Sequence, residues 1–333
     1  MNTAYVTFVM RNDAFVPGAL TFAYALKQQG VKDDVVCMIS EQVSSESEGF
    51  LKRLFNHVLR FQEVKTEHQA AHERQDRRYL FSRFEALRLG RDGDLGVGYD
   101  KIILCDADVL PLREYESLKA LKAPAGILNE AKDHGVSLEG HQYVYPENLE
   151  QTGTWVWHDI YQDYPHGTRI PKDITDRVLH DPDNMGLNAS VFVLKPSLNL
   201  LRSIEHDLTD PKWLEHITRF PWPEMQYLTA KLSGQWHNLD LKYSGFNGYP
   251  GIKYLNGIHY AGLKPWQIKH RSIQHFAAYD DFKLWYHVWT EMVKKTPEVL
   301  QKPAHKKIQT FIQQQFPQGI PIHPDWPAWS KRD

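Results

Sequence analysis

Two carboxylates, Asp106 and Asp108, flank the small residue Ala107 directly after an apolar run. That run, Lys101–Cys105, is short, bounded by turn signals and rich in branched side chains, which predicts a buried strand of a mostly parallel sheet. Ligands of open α/β sheets gather at the carboxyl ends of the strands, where both carboxylates would lie. Carboxylate oxygens suit Mg²⁺ or Mn²⁺, and such metals commonly carry a substrate's phosphates. The alternative is a solvated acidic turn, because Asp-x-Asp often occurs by chance.

The elements that must position this pair alternate along the N-terminal part of the chain. A strand over residues 5–10 is followed by a helix over 17–26, a strand over 35–39, a helix from Ser44 and a strand over 58–61. This order is typical of right-handed βαβ units, so we predict an α/β fold in which helices flank a mostly parallel sheet. No Gly-x-Gly-x-x-Gly follows the first strand, which disfavours a dinucleotide-binding Rossmann domain.

A basic stretch leads into the strand that carries the carboxylates. Arg74, Arg77 and Arg78 precede residues 79–89, whose pattern predicts an amphipathic α-helix bearing Arg83. Arginine is suited to bidentate contacts with phosphate or with sugar hydroxyls, although most arginines on such a helix only solvate its outer face. One of these arginines is therefore a candidate for the site, and the spacing alone does not say which.

The C-terminal half of the chain is less regular. We predict a strand over residues 191–194, a helix over 198–208, a helix that opens near Glu224 and a terminal helix over 283–293. The tail over residues 303–333 is rich in Pro, Gln and Trp and shows no repeat. It is expected either to pack as a strap or to stay mobile.

Composition limits the class of protein. The 333 residues include 39 Lys and Arg and 41 Asp and Glu, for a formal net charge of −2, which gives no general attraction to nucleic acid or anionic membranes. Cys37 and Cys105 lie in predicted buried strands, which indicates reduced core thiols. The chain opens on a strand without a signal peptide, and no run is long enough to span a bilayer, so we expect a soluble cytoplasmic enzyme.

Five short motifs occur in the order of one known family and extend over residues 3–270. They are Asn12-Asp13-Ala14-Phe15, Gly18-Ala19-Leu20, Asp106-Ala107-Asp108, Leu187-Asn188-Ala189-Ser190-Val191-Phe192-Val193 and His259-Tyr260-Ala261-Gly262-Leu263-Lys264-Pro265-Trp266. Together they resemble the motifs of glycogenin-like glycosyltransferases of family 8, which are retaining enzymes with a GT-A fold. The resemblance implies a single Rossmann-like nucleotide-sugar-binding domain over residues 1–270, followed by a helical or strap-like extension over 271–333.

The resemblance also implies a set of site residues. Asp106, Asp108 and His259 would bind one metal ion, and this mixed oxygen and nitrogen set suits Mn²⁺ better than Mg²⁺. The UDP-sugar donor would be bound by residues from several motifs, which are Val9, Asn12, Asp13, Phe15, Arg74, Ala107, Ala189, Gly262 and Lys264. The catalytic residues next to the transferred sugar would be Arg83, Asn188, Glu224 and Gln226.

Three departures from the family pattern bear on these roles. Phe15 replaces the tyrosine that stacks on uracil, and the last motif has one residue fewer before Lys264. Glu224 stands in place of the family's aspartate, while Gln226 lies one step after the position expected for its glutamine. Either residue could therefore lie at the anomeric carbon. Glu224 could stabilise an oxocarbenium-like state or act as a nucleophile, or it could simply cap the helix behind Pro223.

Residues 133–186 form a segment much longer than its counterpart in the family. It contains the aromatic residues Tyr143, Tyr145, Trp155, Trp157, Tyr161 and Tyr164. Aromatic faces stack on sugars, so we predict an insertion that holds an external glycan, glycoside or glycosylated protein, with a self-packed surface loop as the alternative. No tyrosine lies in surroundings that match the self-glucosylated segment of glycogenin, so self-glucosylation is not expected.

Three functions compete at this stage. The first is metal-dependent, retaining transfer of glucose, galactose or N-acetylglucosamine from a UDP-sugar. The second is an inverting GT-A or nucleotidyltransferase-like enzyme that uses the same metal strand, and the third is a catalytically silent carbohydrate-binding relative. The paired carboxylates together with His259 and Lys264 favour an enzyme. The resemblance is also compatible with a homodimer.

Overall fold

The computed structural model describes residues 2–67, 75–128, 137–139, 142–144, 164–246 and 251–331. In chain order, its strands are β1 (Thr3–Val9), β2 (Asp34–Ser40), β3 (His57–Phe61), β4 (Lys101–Cys105), β5 (Val109–Pro111), β6 (Ala125–Leu128), β7 (Ser137–Glu139), β8 (Gln142–Val144), β9 (Leu187–Leu194), β10 (His237–Asn238), β11 (Gly245–Phe246) and β12 (Gly257–His259). Seven of these strands form the central sheet, in the order β10-β6-β9-β4-β1-β2-β3.

The central sheet is mostly parallel, as the sequence predicts. The pairs β4 with β1, β1 with β2, β2 with β3 and β10 with β6 are parallel, and only β9 runs antiparallel to its neighbours β4 and β6. β4 lies in the interior of the sheet between β1 and β9 and is buried along its whole length. The turn that carries Asp106 and Asp108 therefore starts from a rigid strand that is paired on both sides.

A second, three-stranded sheet connects this turn to a distant part of the chain. Its order is β11-β12-β5, and β12 pairs antiparallel with β5 so that His259 lies opposite Val109. Tyr260 N also donates a hydrogen bond to Asp108 O at 2.9 Å. Because β5 begins directly after Asp108, this register brings His259 to the carboxylates from about 150 residues away in the sequence.

Helices cover both faces of the central sheet. The α-helices are α1 (Val16–Gln28), α2 (Ser45–Leu54), α3 (Lys172–His180), α4 (Leu198–Asp207), α5 (Pro211–Ile217), α6 (Pro223–Lys231), α7 (Ile273–Phe276), α8 (Asp280–Lys295) and α9 (Pro303–Gln315). Turns of 3₁₀ helix lie at Asp13–Phe15, Gln75–Leu89, Tyr115–Ala120, Leu241–Tyr243, Ile252–Tyr254, Pro297–Gln301 and Ala328–Lys331. No helix in the described ranges is long and apolar enough to cross a membrane.

Alternating strand residues divide the core into two apolar layers. Tyr5, Cys37 and Cys105 point to one layer, which also contains α1, α2, α8 and α9. Residues one position along, such as Val6 and Leu104, point to the other layer, which contains the Gln75–Leu89 helix and α4 to α6. This division follows from the two-residue period of a strand. Both cysteines are free and buried in strands, as predicted.

The segment around Arg83 differs from its predicted form. Gln75–Leu89 is a run of 3₁₀ turns and not an amphipathic α-helix. Phe81, Phe84 and Leu87 recur every three residues and pack in one core layer, a spacing that aligns side chains in a 3₁₀ helix. The backbone of this segment is also tied to the chain before it, because Thr66 N donates to Arg78 O at 2.8 Å.

Besides the four-residue α7, three helices lie where no helix was predicted. They are α3, α5 and α9. In α9, Ile308 and Ile312 are buried four residues apart, so the first part of the tail packs as a helix on the core instead of staying mobile. Each of these helices begins at or next to a proline, a position that a sequence interpretation easily assigns to a loop.

Candidate metal centre

The structure brings together Asp106, Asp108 and His259 at the carboxyl end of β4. One ligand atom from each residue lies within 4.8 Å of the others. The turn between the two carboxylates is fixed by its backbone, since Asp106 N donates to Ser190 O at 2.9 Å and Val109 N donates to Asp106 O at 3.1 Å. Two carboxylate oxygens and an imidazole nitrogen are a donor set that a divalent cation accepts, so the residues present fit a metal ion.

Lys264 and His259 lie next to Asp108. Lys264 Nζ donates to Asp108 Oδ2 and to Tyr260 O, and His259 Nε2 lies 3.6 Å from Asp108 Oδ1. Burial opposes ionisation of Asp108, but Lys264 and His259 outweigh it and hold the pKa of this carboxyl below its ordinary value. Burial lowers the pKa of His259 to about 4. At neutral pH the imidazole is therefore neutral, which is the form that can ligate a metal.

Arg83 links the metal-binding turn to a third carboxylate, Glu224. Its Nη2 lies 2.8 Å from Asp106 Oδ1 and donates to Ala189 O at 2.5 Å, and its Nη1 lies 3.6 Å from Glu224 Oε1. Burial raises the pKa of Asp106 although Arg83 opposes it, and 32% of the Asp106 side chain remains exposed. Arg83 itself is buried, so its charge acts at short range in a low-dielectric setting.

Glu224 has an oxygen that the described residues do not satisfy. Its Oε2 is buried without a hydrogen-bond partner in the part of the chain that the structure describes. Burial raises the pKa of Glu224, opposed by Arg83 and by the backbone N–H groups of Glu224 and Met225 at the start of α6. An unsatisfied buried acceptor costs free energy, and a hydrogen bond from a donor at this position would recover it.

Gln226, the other candidate for this role, is fully used by the protein backbone. Its Oε1 accepts from Trp222 N at 2.8 Å, and its Nε2 donates to Pro182 O at 2.8 Å and to Asn184 O at 2.7 Å. These bonds fix the turn that precedes Glu224. Glu224, in contrast, has an oxygen 3.6 Å from Arg83.

The residues predicted around the uracil occupy the end of β1 and the turn after it. Asn12 Oδ1 accepts from Ala14 N at 2.8 Å, and Val9 is the last residue of β1. Phe15 is half-buried. The centroid of its ring lies 5.8 Å from the centroid of the Trp266 ring and 6.0 Å from Lys264 Nζ. Phe15 is therefore close to the lysine of the metal centre.

Asp13 makes protein contacts that the sequence did not predict. It accepts from Ser44 N at 2.9 Å, from Ser44 Oγ at 2.7 Å and from Lys302 Nζ at 2.6 Å. Lys302 immediately precedes α9, so the C-terminal segment supports the turn after β1. The proposed contact between Asp13 and the donor remains a prediction.

The remaining predicted residues divide into those near the centre and those not described. Asn188 and Ala189 lie in β9, where Asn188 Oδ1 accepts from Ser190 N at 2.8 Å. Ala107 lies between the two carboxylates, and Gly262 lies in the exposed turn before Lys264. Arg74 falls outside the described residues. So do four aromatic residues of the predicted insertion, Tyr145, Trp155, Trp157 and Tyr161.

Gly18 supports the backbone of the metal-binding turn, a role that its sequence motif does not predict. A Cβ atom at Gly18 would lie 2.2 Å from Ala107 O and 2.5 Å from Trp266 Cη2. The first turn of α1 thus packs directly on the backbone between the two carboxylates. A glycine in the first turn of a predicted helix is the signal that could have indicated this close approach.

We expect Gly18→Ala to destabilise the protein by about 1–3 kcal/mol or more, because the clashing atom belongs to the backbone of the metal-binding turn. Metal affinity should fall with it. Gly49→Ala is the matched control, since a Cβ at this helical glycine meets nothing within 4 Å. Thermal unfolding with and without Mn²⁺ checks both variants, and equal melting temperatures for the two would contradict this account of Gly18.

Comparisons with known proteins agree with the architecture. No protein-family profile matches the chain. The chain is 25% identical to the uncharacterized protein R707 of Acanthamoeba polyphaga mimivirus over 243 residues. The aligned region covers 72% of this chain and 71% of that protein. Galactosyltransferase LgtC, solved with donor and acceptor sugar analogues, superposes with a TM-score of 0.50 at 12% identity, covering 87% of this chain and 95% of LgtC.

A second solved structure has the same fold. The glycosyltransferase GlyE of Streptococcus pneumoniae superposes with a TM-score of 0.50 at 14% identity and covers 91% of this chain. The chain spans 64% of the length of GlyE and 51% of the bifunctional glycosyltransferase WbbM. The architecture is thus the GT-A fold of glycosyltransferases, with a mostly parallel sheet flanked by helices, and the predicted fold class is confirmed.

Proposed function

We propose that the protein is a metal-dependent retaining glycosyltransferase that moves a hexose from a UDP-sugar to a carbohydrate or glycosylated protein. The observation that carries this proposal is the convergence of Asp106, Asp108 and His259 within 4.8 Å at the carboxyl end of β4. Lys264 borders this cluster on one side and Arg83 on the other. The GT-A fold supports it, because the neighbours in structure are glycosyltransferases.

The donor pyrophosphate would lie at the metal centre. Asp106, Asp108 and His259 would hold Mn²⁺, with Mg²⁺ as the second choice, and such an ion would neutralise charge on the pyrophosphate. Lys264 already lies beside Asp108 Oδ2, from where its ammonium would donate to the β-phosphate as UDP leaves. The neutral form of His259 keeps its nitrogen available as a ligand.

The transferred sugar would lie over Arg83 and Glu224. Arg83 is held by Asp106 and by Ala189 O, so its remaining N–H groups are oriented before the donor binds. Glu224 would accept a sugar hydroxyl at Oε2 or face the anomeric carbon as positive charge develops there. Asn188 would complete this side of the pocket, and Gln226 would position Glu224 without touching the sugar.

Two other functions are less well supported. A silent carbohydrate-binding relative would not need the buried Arg83 next to a buried carboxylate, Glu224, with an oxygen that has no hydrogen-bond partner among the described residues. An inverting or nucleotidyl-transferring enzyme could use the same metal ligands, so the stereochemistry of the product must decide. The proposal requires neither a homodimer nor a particular cellular compartment.

Incubation of the native protein with UDP-glucose, UDP-galactose or UDP-N-acetylglucosamine, Mn²⁺ and a panel of glycosides tests the proposal. We expect acceptor-dependent release of UDP from one donor and, by NMR, a product with the anomeric configuration of that donor. The intact mass of the protein should not change, since the predicted acceptor is external. An inverted product would show the retaining mechanism wrong, and a ladder of hexoses on the protein would show the acceptor prediction wrong.

Phe15→Ala should weaken UDP binding about 10-fold, because an aromatic ring that stacks on a base contributes roughly 1–3 kcal/mol. The control is Phe311→Ala, which removes another half-buried ring; Phe311 lies in α9, packs on Tyr286 of α8 and is outside the proposed pocket. Calorimetric titration of UDP in the presence of Mn²⁺ checks both variants. Unchanged affinity in Phe15→Ala would remove this ring from the nucleotide site.

A further inference from the structure

Because the Gln75–Leu89 helix is of the 3₁₀ type, Arg77 and Arg83 are expected on the same side of it. Three residues complete one 3₁₀ turn, so side chains six residues apart are aligned, two turns and about 12 Å along the axis from each other. In an α-helix the same two residues would be about 240° apart around the axis. The helix type therefore creates a row of guanidinium groups that starts at the metal centre.

Arg77 has hydrogen-bonding capacity that the described residues leave unused. Among the described residues, its Nε is buried without a hydrogen-bond acceptor, and its guanidinium forms no ion pair with a carboxylate. Its guanidinium carbon lies 4.7 Å from the centroid of the Trp222 ring. The positive charge also reaches Glu224, since Arg77 is among the groups that lower the pKa of that carboxyl against its burial.

The contact with Trp222 connects the Arg77 guanidinium to the segment that carries Glu224. Trp222 lies two residues before Glu224, and its backbone N–H is held by Gln226 Oε1 at 2.8 Å. Contacts thus run from the metal ligands through Arg83 to Glu224, and the Trp222 and Arg77 pair is attached to Glu224 through the short segment that begins α6. If UDP lies at the metal ligands, as the proposed function requires, Arg77 and Trp222 border the transferred sugar on the side away from the leaving group.

We propose that Arg77 and Trp222 form an acceptor subsite that selects a carbohydrate carrying an anionic group, either a carboxylate or a phosphate. The indole ring offers an apolar face to the sugar, and the guanidinium offers paired donors to the anion. Arg83 does not serve this purpose, because Asp106 and Ala189 O already engage it. An anion on the acceptor would satisfy the buried Nε of Arg77, which is otherwise costly to leave unpaired.

Equilibrium binding tests this subsite without requiring turnover. Three probes share one aryl aglycone: a glucoside, a glucuronide and a glucoside 6-phosphate, each titrated into the full chain in the presence of UDP and Mn²⁺. We expect the native protein to bind one of the acidic probes about 10-fold to 100-fold more tightly than the neutral one. The preferred acidic probe identifies the anion as carboxylate or phosphate.

The variants separate a specific contact from general damage. In Arg77→Gln the ratio of acidic to neutral affinity should fall to about one, and Arg77→Lys should retain part of the preference. Arg219→Gln is the matched control, because it also removes one positive charge and lies three residues before Trp222. Arg219 is exposed, and among the described carboxylates it pairs only with Glu215, at 3.5 Å. It should keep the native ratio. A ratio is used because a general loss of folding or of UDP binding affects both probes.

Two results would overturn the subsite: equal affinity of the native protein for all three probes, or an undiminished ratio in Arg77→Gln. Transfer assays with the same probes keep this inference separate from the proposed function. If the native protein shows an Arg77-dependent preference in binding but releases no UDP from any donor, the transferase proposal fails and the subsite stands. If it transfers sugar with no preference for acidic probes, the subsite fails and the transferase proposal stands.

Discussion

Asp108→Asn should reduce Mn²⁺-dependent release of UDP at least about 100-fold while leaving the fold intact. Asparagine keeps the shape of the side chain but removes the charge that Lys264 and His259 now face at Oδ2 and Oδ1. The loss should appear mainly in the metal-dependent step, because Asp108 is a predicted metal ligand. Initial rates at several Mn²⁺ concentrations measure it, and excess EDTA should abolish the native rate.

The matched control is Asp281→Asn. Asp281 is also a buried aspartate, but it lies at the start of α8 and outside the metal centre, and burial raises its pKa to about 7. A neutral amide thus resembles the form that burial favours, and we expect near-native activity. Full activity in Asp108→Asn, or undiminished turnover in EDTA, would show that no metal ion acts at this site.

Glu224→Gln should lower kcat at least about 100-fold with little change in the affinity for UDP. The carboxylate lies 3.6 Å from Arg83 and has a buried oxygen without a described partner, so its charge is available to the sugar and not to the nucleotide. Single-turnover rates at saturating donor measure the chemical step, and calorimetry with UDP measures binding.

Gln226→Ala provides the contrast for this prediction. Removing three hydrogen bonds to the backbone of Trp222, Pro182 and Asn184 should cost stability, at about 0.5–1.5 kcal/mol for each bond. We expect a lower melting temperature and a smaller loss of kcat than in Glu224→Gln. If Gln226→Ala lost more activity than Glu224→Gln at equal stability, the assignment of roles to these two residues would have to be reversed.

The parts of the fold that follow strand periodicity could be predicted from the sequence. Lys101–Cys105 is a run rich in apolar, branched residues that is followed by two aspartates. Such a run is the typical sequence pattern of a strand that is buried on both faces. The proximity of His259 to these aspartates could not be derived from spacing, since it depends on the pairing of β12 with β5. Only the resemblance to a known family suggested that contact.

The parts that depend on side-chain packing could not be predicted. An apolar residue every third or fourth position fits both α and 3₁₀ helices, so the 3₁₀ form of Gln75–Leu89, from which the alignment of Arg77 with Arg83 is inferred, became visible only in the structure. The same limit applies to Gln226, whose Nε2 donates to the backbone carbonyls of Pro182 and Asn184 more than 40 residues earlier in the chain. It applies also to Asp13, which pairs with a lysine almost 290 residues later in the chain.

Calorimetric titration of UDP into the native protein, with Mn²⁺ and then with EDTA, tests the central claim most directly. That claim is that UDP binds at Asp106, Asp108 and His259 through a divalent cation. We predict saturable binding of one UDP per chain in Mn²⁺, a large loss of affinity in EDTA, and the same loss in Asp108→Asn with Mn²⁺ present. UDP binding of equal affinity in Mn²⁺ and in EDTA, or no binding under either condition, would contradict it.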